Sequence, residues 1–173
     1  PRTGDAGRPR RLIPAAHTVM DAVAFEPAWW LPGGHAQTLW AALARSRRIP
    51  GDFRWEQLEL PDGDFVDLCW GRNATDGSKP LVILLHGLEG SIASPYAHGL
   101  MGAVQAWGWQ GVLMHFRGCS GRPNRRDRSY HSGDTGDIRF LVATLQGRFP
   151  GTALAAVGFS LGGNALLKYL GES

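Results

Sequence analysis

Cysteine is scarce in this sequence of 173 residues. Only Cys69 and Cys119 occur, far apart and outside any C-x-x-C spacing, so a disulfide framework, a zinc knuckle and a dithiol redox pair all lack support. Such sparse use of cysteine fits a reducing compartment. Long apolar runs are missing too. None reaches the ~20 residues that a bilayer span requires, and no short apolar segment sits behind basic residues as a secretory leader would. A cytoplasmic location is the expectation, with an upstream anchor left open because the chain starts at Pro1 without a methionine. Excess charge is small, at +3, and much of it sits in Arg2, Arg8, Arg10 and Arg11. That stretch has no apolar periodicity, so residues 1–24 read as a flexible or irregular N-terminal segment. No zinc-finger, helix-turn-helix or RNA-recognition signature is present, which argues against nucleic acid as a partner. The motifs G-x-x-x-x-G-K-[ST] for phosphate, G-x-G-x-x-G for a dinucleotide and H-E-x-x-H for zinc are absent.

What the sequence does have is a core. Hydrophobic residues make up 43% of the chain, and its 24 glycines and 11 prolines fall in short clusters between apolar runs. That distribution describes turns joining regular elements in one domain, expected over residues 25–173. Trp55 to Leu60 and Phe65 to Trp70 read as the arms of a hairpin around Pro61-Asp62-Gly63-Asp64, a turn set by proline and glycine. In the second arm Val66, Leu68 and Trp70 alternate with Asp67 and Cys69, which predicts one apolar face. Leu81 to Leu85 is apolar without a break, as a strand covered on both faces must be.

Strand and helix then alternate. Ala97, Leu100, Met101 and Val104 recur at helical spacing behind Ser94-Pro95, and Gly111 to Phe116 is the next strand. A polar loop, Arg117 to Gly133, leads to a second helical stripe at Ile138, Leu141, Val142 and Leu145, with Asp134 and Thr135 as candidate caps. Ala153 to Val157 is a strand, Gly158 to Gly162 a sharp turn, and Gly163 to Leu170 a helix. This order predicts an α/β protein: a mostly parallel sheet with an antiparallel hairpin at one edge and helices on both faces.

The turn carries the chemistry. Gly158-Phe159-Ser160-Leu161-Gly162 is G-x-S-x-G, which arises by chance in roughly one chain in six of this composition, so the pattern alone is weak. Its setting strengthens it: a strand ends and a helix begins there, and a tight bend of that kind lifts a serine hydroxyl above the sheet. Gly158 and Gly162 are the elbow glycines, placed where a side chain would crowd the neighbouring strand or helix. Ser160 is the candidate nucleophile. Leu161, at the helix N-terminus, has a backbone N–H free to meet an oxyanion, and the Leu88 N–H in His86-Gly87-Leu88-Glu89-Gly90 is the candidate second donor.

The segments Pro27 to Thr38, His86 to Ser91, Phe116 to Gly121, Tyr130 to Thr135 and Gly158 to Asn164, in this order, resemble the YheT-like branch of the α/β-hydrolases, which is related to animal abhydrolase-domain lipid esterases. The similarity runs from about Phe25 to the last residue. It implies the N-terminal part of an α/β-hydrolase fold and a carboxylic ester hydrolase acting on small acyl-ester or lipid-like substrates, without metal or organic cofactor. It also implies a Ser, Asp, His triad in that chain order. Ser160 carries over; the acid and the histidine do not, because in the family they follow later strands. The expectation is therefore a C-terminally truncated serine carboxylesterase, nearly inactive as it stands. The alternatives are an inactive fragment or binding module with the hydrolase shape, or an acyltransferase or thioesterase on the same fold. His86 and His131 read as loop residues shaping the site through hydrogen bonds. Arg122, Arg125, Arg126 and Arg128 cluster in the polar loop, where an anionic head group or a membrane surface is the weaker reading and a solvated loop, or salt bridges with Asp127 and Asp134, the favoured one.

Overall fold

The computed structural model describes residues 26–44, 53–73 and 78–173. The chain divides into two compact units, Pro1–Ala42 and Leu43–Ser173. The boundary expected between residues 24 and 25 lies outside the described residues. In the first unit, Trp30 meets Trp40 edge-on at 5.2 Å. Trp40 belongs to the helix α1 (Gly34–Ala44), which begins in that unit.

The second unit holds a five-stranded sheet. Its strands are β1 (Arg54–Glu59), β2 (Phe65–Trp70), β3 (Leu81–Leu85), β4 (Gln110–His115) and β5 (Leu154–Gly158), ordered β1-β2-β4-β3-β5. β3, β4 and β5 are parallel, and β2 runs antiparallel to both β1 and β4. The hairpin thus occupies one end of the sheet, as its turn chemistry predicts. Gly63 stands at φ +82° in that turn, a conformation that a side chain would strain.

Three helices cover the sheet: α2 (Pro95–Ala106), α3 (Gly136–Arg148) and α4 (Leu161–Gly171). Ile138, Leu141 and Leu145 of α3 and Ala165 of α4 pack with Leu68, Ile83, Leu85 and Met114 in one apolar cluster. Ala97 and Met101 of α2 pack with Cys69, Leu84 and Leu113 in another. Neighbouring strand residues such as Leu84 and Leu85 enter different clusters, which is what helices on both faces demand.

Val66, Leu68 and Trp70 form the apolar face expected of β2 and pack in the first cluster, but the opposite face is covered too. All six of its residues are buried, because β2 lies between β1 and β4 and both its faces are covered. Cys69 is fully buried, and Asp67 is buried against Arg122. Burial pushes the Cys69 thiol up to about 12. Thr135 does stand at the start of α3, but its hydroxyl donates to Glu172 at 2.7 Å instead of capping the helix.

Candidate active site

β5 ends at Gly158 and α4 starts at Leu161, so two residues make the whole bend. Ser160 takes φ +50° and ψ −116°, a region that L-residues avoid at a cost of ~1–3 kcal/mol unless their surroundings enforce it. Here the surroundings do so. Phe159 N–H donates to the Leu85 carbonyl at 3.0 Å, Gly162 N–H closes onto the Phe159 carbonyl at 2.9 Å, and Asn164 N–H reaches the Ser160 carbonyl at 3.0 Å. The side chain of Ser160 is left on the exposed side of the bend.

Steric closeness explains the two flanking glycines. A Cβ on Gly158 would lie 2.6 Å from the Gly162 carbonyl oxygen and the Gly163 Cα. One on Gly162 would lie 2.7 Å from the Leu85 carbonyl oxygen and against that of His86. Both obstacles are backbone, which has no rotamer with which to yield.

The loop after β3 lies directly against this bend, since a Cβ on Gly87 would be 3.3 Å from the Ser160 Cβ. Its peptide groups are pinned one by one. Gly87 N–H donates to the Tyr96 hydroxyl at 2.9 Å and Glu89 N–H to the Tyr130 hydroxyl at 2.9 Å. Gly90 N–H donates to the Gly87 carbonyl at 3.0 Å. Leu88 N–H, between the two clamped amides, donates to no acceptor among the described residues, and the same holds for Leu161 N–H. Glu89 stands at φ +52°, the second non-glycine residue of the described chain in that region.

His86 is a buried member of this loop, not a free base. Phe116 N–H donates to its Nε2 at 3.0 Å, so the ring proton sits on Nδ1 and faces the Gly87 carbonyl at 2.6 Å. Burial lowers its pKa and keeps the ring neutral. His115, whose ring lies 5.9 Å away, behaves alike. Its Nε2 accepts Ile92 N–H at 3.2 Å, its Nδ1 faces the Asp67 carbonyl at 3.3 Å, and burial, reinforced by His86, pushes its pKa down to about 4. His131 is exposed and accepts Gly133 N–H on Nδ1 at 3.1 Å.

The loop after β4 is anchored by a residue that sequence reasoning passed over. Arg117 is 4% exposed and binds Asp137 of α3 through two nitrogens, at 2.8 and 2.7 Å. A third contact set reaches the hairpin turn, with Asp62 at 2.8 Å and Asp64 at 3.0 Å. Burial would raise both hairpin carboxyls, but hydrogen bonds outweigh it, from Arg117 to Asp62 and from Asn124 to Asp64, and hold them below the usual carboxylate range. The only sequence sign of this web was a lone arginine ending an apolar run. Of the four loop arginines, Arg122 pairs with Asp67, Arg125 with Glu59, and Arg128 with Asp62 and Asp134. Among the described residues no group of three or more His, Cys, Asp or Glu could hold a metal ion. No described helix is long and apolar enough to cross a membrane.

A mixed sheet with covering helices, a G-x-S-x-G bend between a parallel strand and a helix, and an adjoining loop after β3 define a class of protein. The description "alpha/beta hydrolase fold" matches residues 80–173, and the chain belongs to that family. Within it, the chain is 49% identical over 158 residues to YheT of Escherichia coli (strain K12), whose name proposes an esterase; the match covers 91% of this chain and 46% of that protein. It is 28% identical over 154 residues to the phospholipase ABHD3 of Mus musculus, covering 86% of this chain and 37% of the relative. The chain thus spans less than half the length of these curated relatives. A solved serine hydrolase, XC6422 from Xanthomonas campestris, shares the fold with a TM-score of 0.57 at 22% identity, over 71% of this chain and 57% of that one.

Proposed function

We propose that this chain is the nucleophile-bearing portion of a carboxylic ester hydrolase. The observation that carries the reading is the backbone of Ser160: a non-glycine residue at φ +50° and ψ −116°, exposed, at the junction of a parallel strand and a helix. Nothing in packing alone calls for serine in that conformation, and stored strain of this kind gathers at reactive groups. In this reading Ser160 Oγ attacks the carbonyl carbon of an acyl ester as its proton passes to a general base. The C–O bond to the alcohol then breaks, and water releases the acyl group from the serine. The negative charge that grows on the carbonyl oxygen is met by Leu88 N–H and Leu161 N–H, the second backed by the positive end of α4. The names of the relatives, an esterase and a phospholipase, agree with an acyl-ester substrate.

The base and its acid are assigned to the longer protein outside these 173 residues. His86 and His115 have both ring nitrogens engaged, which removes the two buried imidazoles from candidacy. A serine without its base loses about a millionfold in turnover, so the chain by itself is expected to be close to inert. The test is labelling of the longer protein with a fluorophosphonate. Ser160 is expected to take the label and Ser160→Ala to abolish both labelling and ester hydrolysis. Unlabelled, folded protein, or hydrolysis that survives Ser160→Ala, refutes the reading.

A further inference from the structure

We infer that Glu89 is a specificity-determining residue of the proposed site: its carboxylate, at the exposed tip of the loop after β3, favours esters that carry a positive charge a few bonds from the reacting carbonyl. This rests on the function proposed above and names a substrate class for it. From His86 to Gly90 only Leu88 and Glu89 are exposed. Gly87, just before them, lies against the nucleophile, since a Cβ there would stand 3.3 Å from the Ser160 Cβ. An ester seated on Ser160, with its carbonyl oxygen toward Leu88 N–H, lies beside this tip, where one side chain is apolar and the next is anionic.

The charge is held close to the backbone. The Tyr130 hydroxyl accepts Glu89 N–H at 2.9 Å and donates to Glu89 Oε1 at 3.4 Å, so one oxygen contacts both the amide and the carboxylate of the same residue. Tyr130 is itself fixed, its ring stacked on Phe116 at 5.0 Å and 9°. Glu89 also stands at φ +52°, a region open to glycine and costly for glutamate, although the glycines of this loop are at 87 and 90. Strain kept for a particular side chain points to a use for that side chain.

No ion pair answers this charge among the described residues. The arginines that form ion pairs in the neighbouring loop do so elsewhere: Arg117 with Asp62, Asp64 and Asp137, Arg122 with Asp67, Arg125 with Glu59, and Arg128 with Asp62 and Asp134. The titratable groups that sense Glu89 stay neutral, because burial pushes the Tyr130 phenol up to about 12, raises the Cys119 thiol and lowers His86. An unpaired carboxylate beside an oxyanion site opposes the charge that grows there. A cation carried by the substrate removes that penalty and adds an attraction of its own, whereas an anionic substituent meets repulsion.

The test, in the longer protein, is hydrolysis of two pairs of isosteric esters, each setting a trimethylammonium group against a tert-butyl group. One pair carries it on the alcohol, 2-(trimethylammonio)ethyl butyrate against 3,3-dimethylbutyl butyrate. The other carries it on the acid, methyl 4-(trimethylammonio)butanoate against methyl 5,5-dimethylhexanoate. In at least one pair kcat/KM is expected to favour the cation about fivefold at low salt, the size of one exposed charge pair. The preference is expected to shrink in 1 M NaCl, where the Debye length is about 3 Å, to vanish in Glu89→Gln and to persist in part in Glu89→Asp. A purely structural role for Glu89, or a loss of folded protein, changes both members of a pair alike and leaves their ratio unmoved. Equal rates within both pairs for the unsubstituted protein, or a preference that survives Glu89→Gln, overturn the inference, and the function still stands if Ser160→Ala abolishes hydrolysis. If hydrolysis survives Ser160→Ala, the function falls and the inference with it.

Discussion

On the β2–β4 side of the sheet every residue of both strands is buried, whereas on the β5 side Ala155 and Ala156 face outward and Leu167 and Leu170 of α4 are 71% and 59% exposed. The first flank is also where the buried ionic groups lie, with Arg117 sealed against Asp64 of the hairpin turn. Among the described residues the second has only exposed ion pairs, Lys168 and Arg139 with Glu172, and an open cavity of about 280 Å³ lined by Ile83, Leu85, Leu154, Leu166 and Tyr169 among others. Ser160 stands at the end of β5, on this less covered flank. Its conformation is held from within, by β3 and by the loop that follows it, both of which belong to the well-covered part of the sheet. The site therefore draws its rigidity from the flank on which it does not stand.

The largest effect is expected where charge is most deeply buried. Arg117→Met removes the cation that faces Asp62, Asp64 and Asp137 and leaves Asp64 and Asp137 as buried carboxylates without it. Stranding one partner of a buried pair costs ~3–5 kcal/mol, read as a lower urea midpoint at pH 7. A midpoint within error of the unsubstituted chain would erase the distinction between the flanks. The restoring variant carries Asp64→Asn and Asp137→Asn as well, since neutral amides tolerate the loss of the arginine far better.

Acid sharpens the same contrast. The pKa of His115 is pushed down to about 4 from an unfolded value near 6.5, so its neutral form belongs to the folded state. Stability from this group is fully present above pH 6.5. It is lost as the pH falls from there through about 4, because the unfolded chain binds the proton first; the full shift corresponds to about 3 kcal/mol. His86, lowered in the same direction, adds to the effect. Asp62 and Asp64 have depressed carboxyls, whose contribution is present above an unfolded value near 3.9 and disappears below it. Unfolding midpoints measured from pH 7.5 down to 3 are expected to drop in two stages, and a flat profile between 6.5 and 4.5 refutes the assignment of His115.

Much of this arrangement is legible in the sequence, and the parts that are not share a cause. Leu81 to Leu85 declares itself as a buried strand because its apolar run is local, and the bend at Ser160 does so because strand, glycines and helix adjoin. The stripes Ala97 to Val104 and Ile138 to Leu145 likewise follow from spacing alone. The polar web is different. Arg117 meets Asp64 from 53 positions away and Asp137 from 20, and the Tyr130 hydroxyl reaches the Glu89 amide across 41. No local pattern encodes such pairs; they exist only once the hairpin turn, the loop after β4 and the start of α3 converge. The covered second face of β2 was missed for the same reason, since alternation in Phe65–Trp70 says nothing of a loop returning to lay Arg122 over Asp67.

The smallest effect is expected on the open flank. Leu167 is on α4 with 71% of its surface exposed, and α4 buries only Gly162 and Ala165. Replacing an exposed helical leucine with lysine removes little buried area, and the two residues have similar helix propensities. Leu167→Lys is therefore expected to shift the unfolding free energy of this 173-residue chain by less than about 0.5 kcal/mol, roughly a tenth of the effect at Arg117. The measurement is again the urea midpoint, taken side by side with Arg117→Met so that the two flanks are compared in one titration. A loss of 2 kcal/mol or more would mean that α4 packs against a surface in solution, and the difference between the flanks would then be one of chemistry and not of burial.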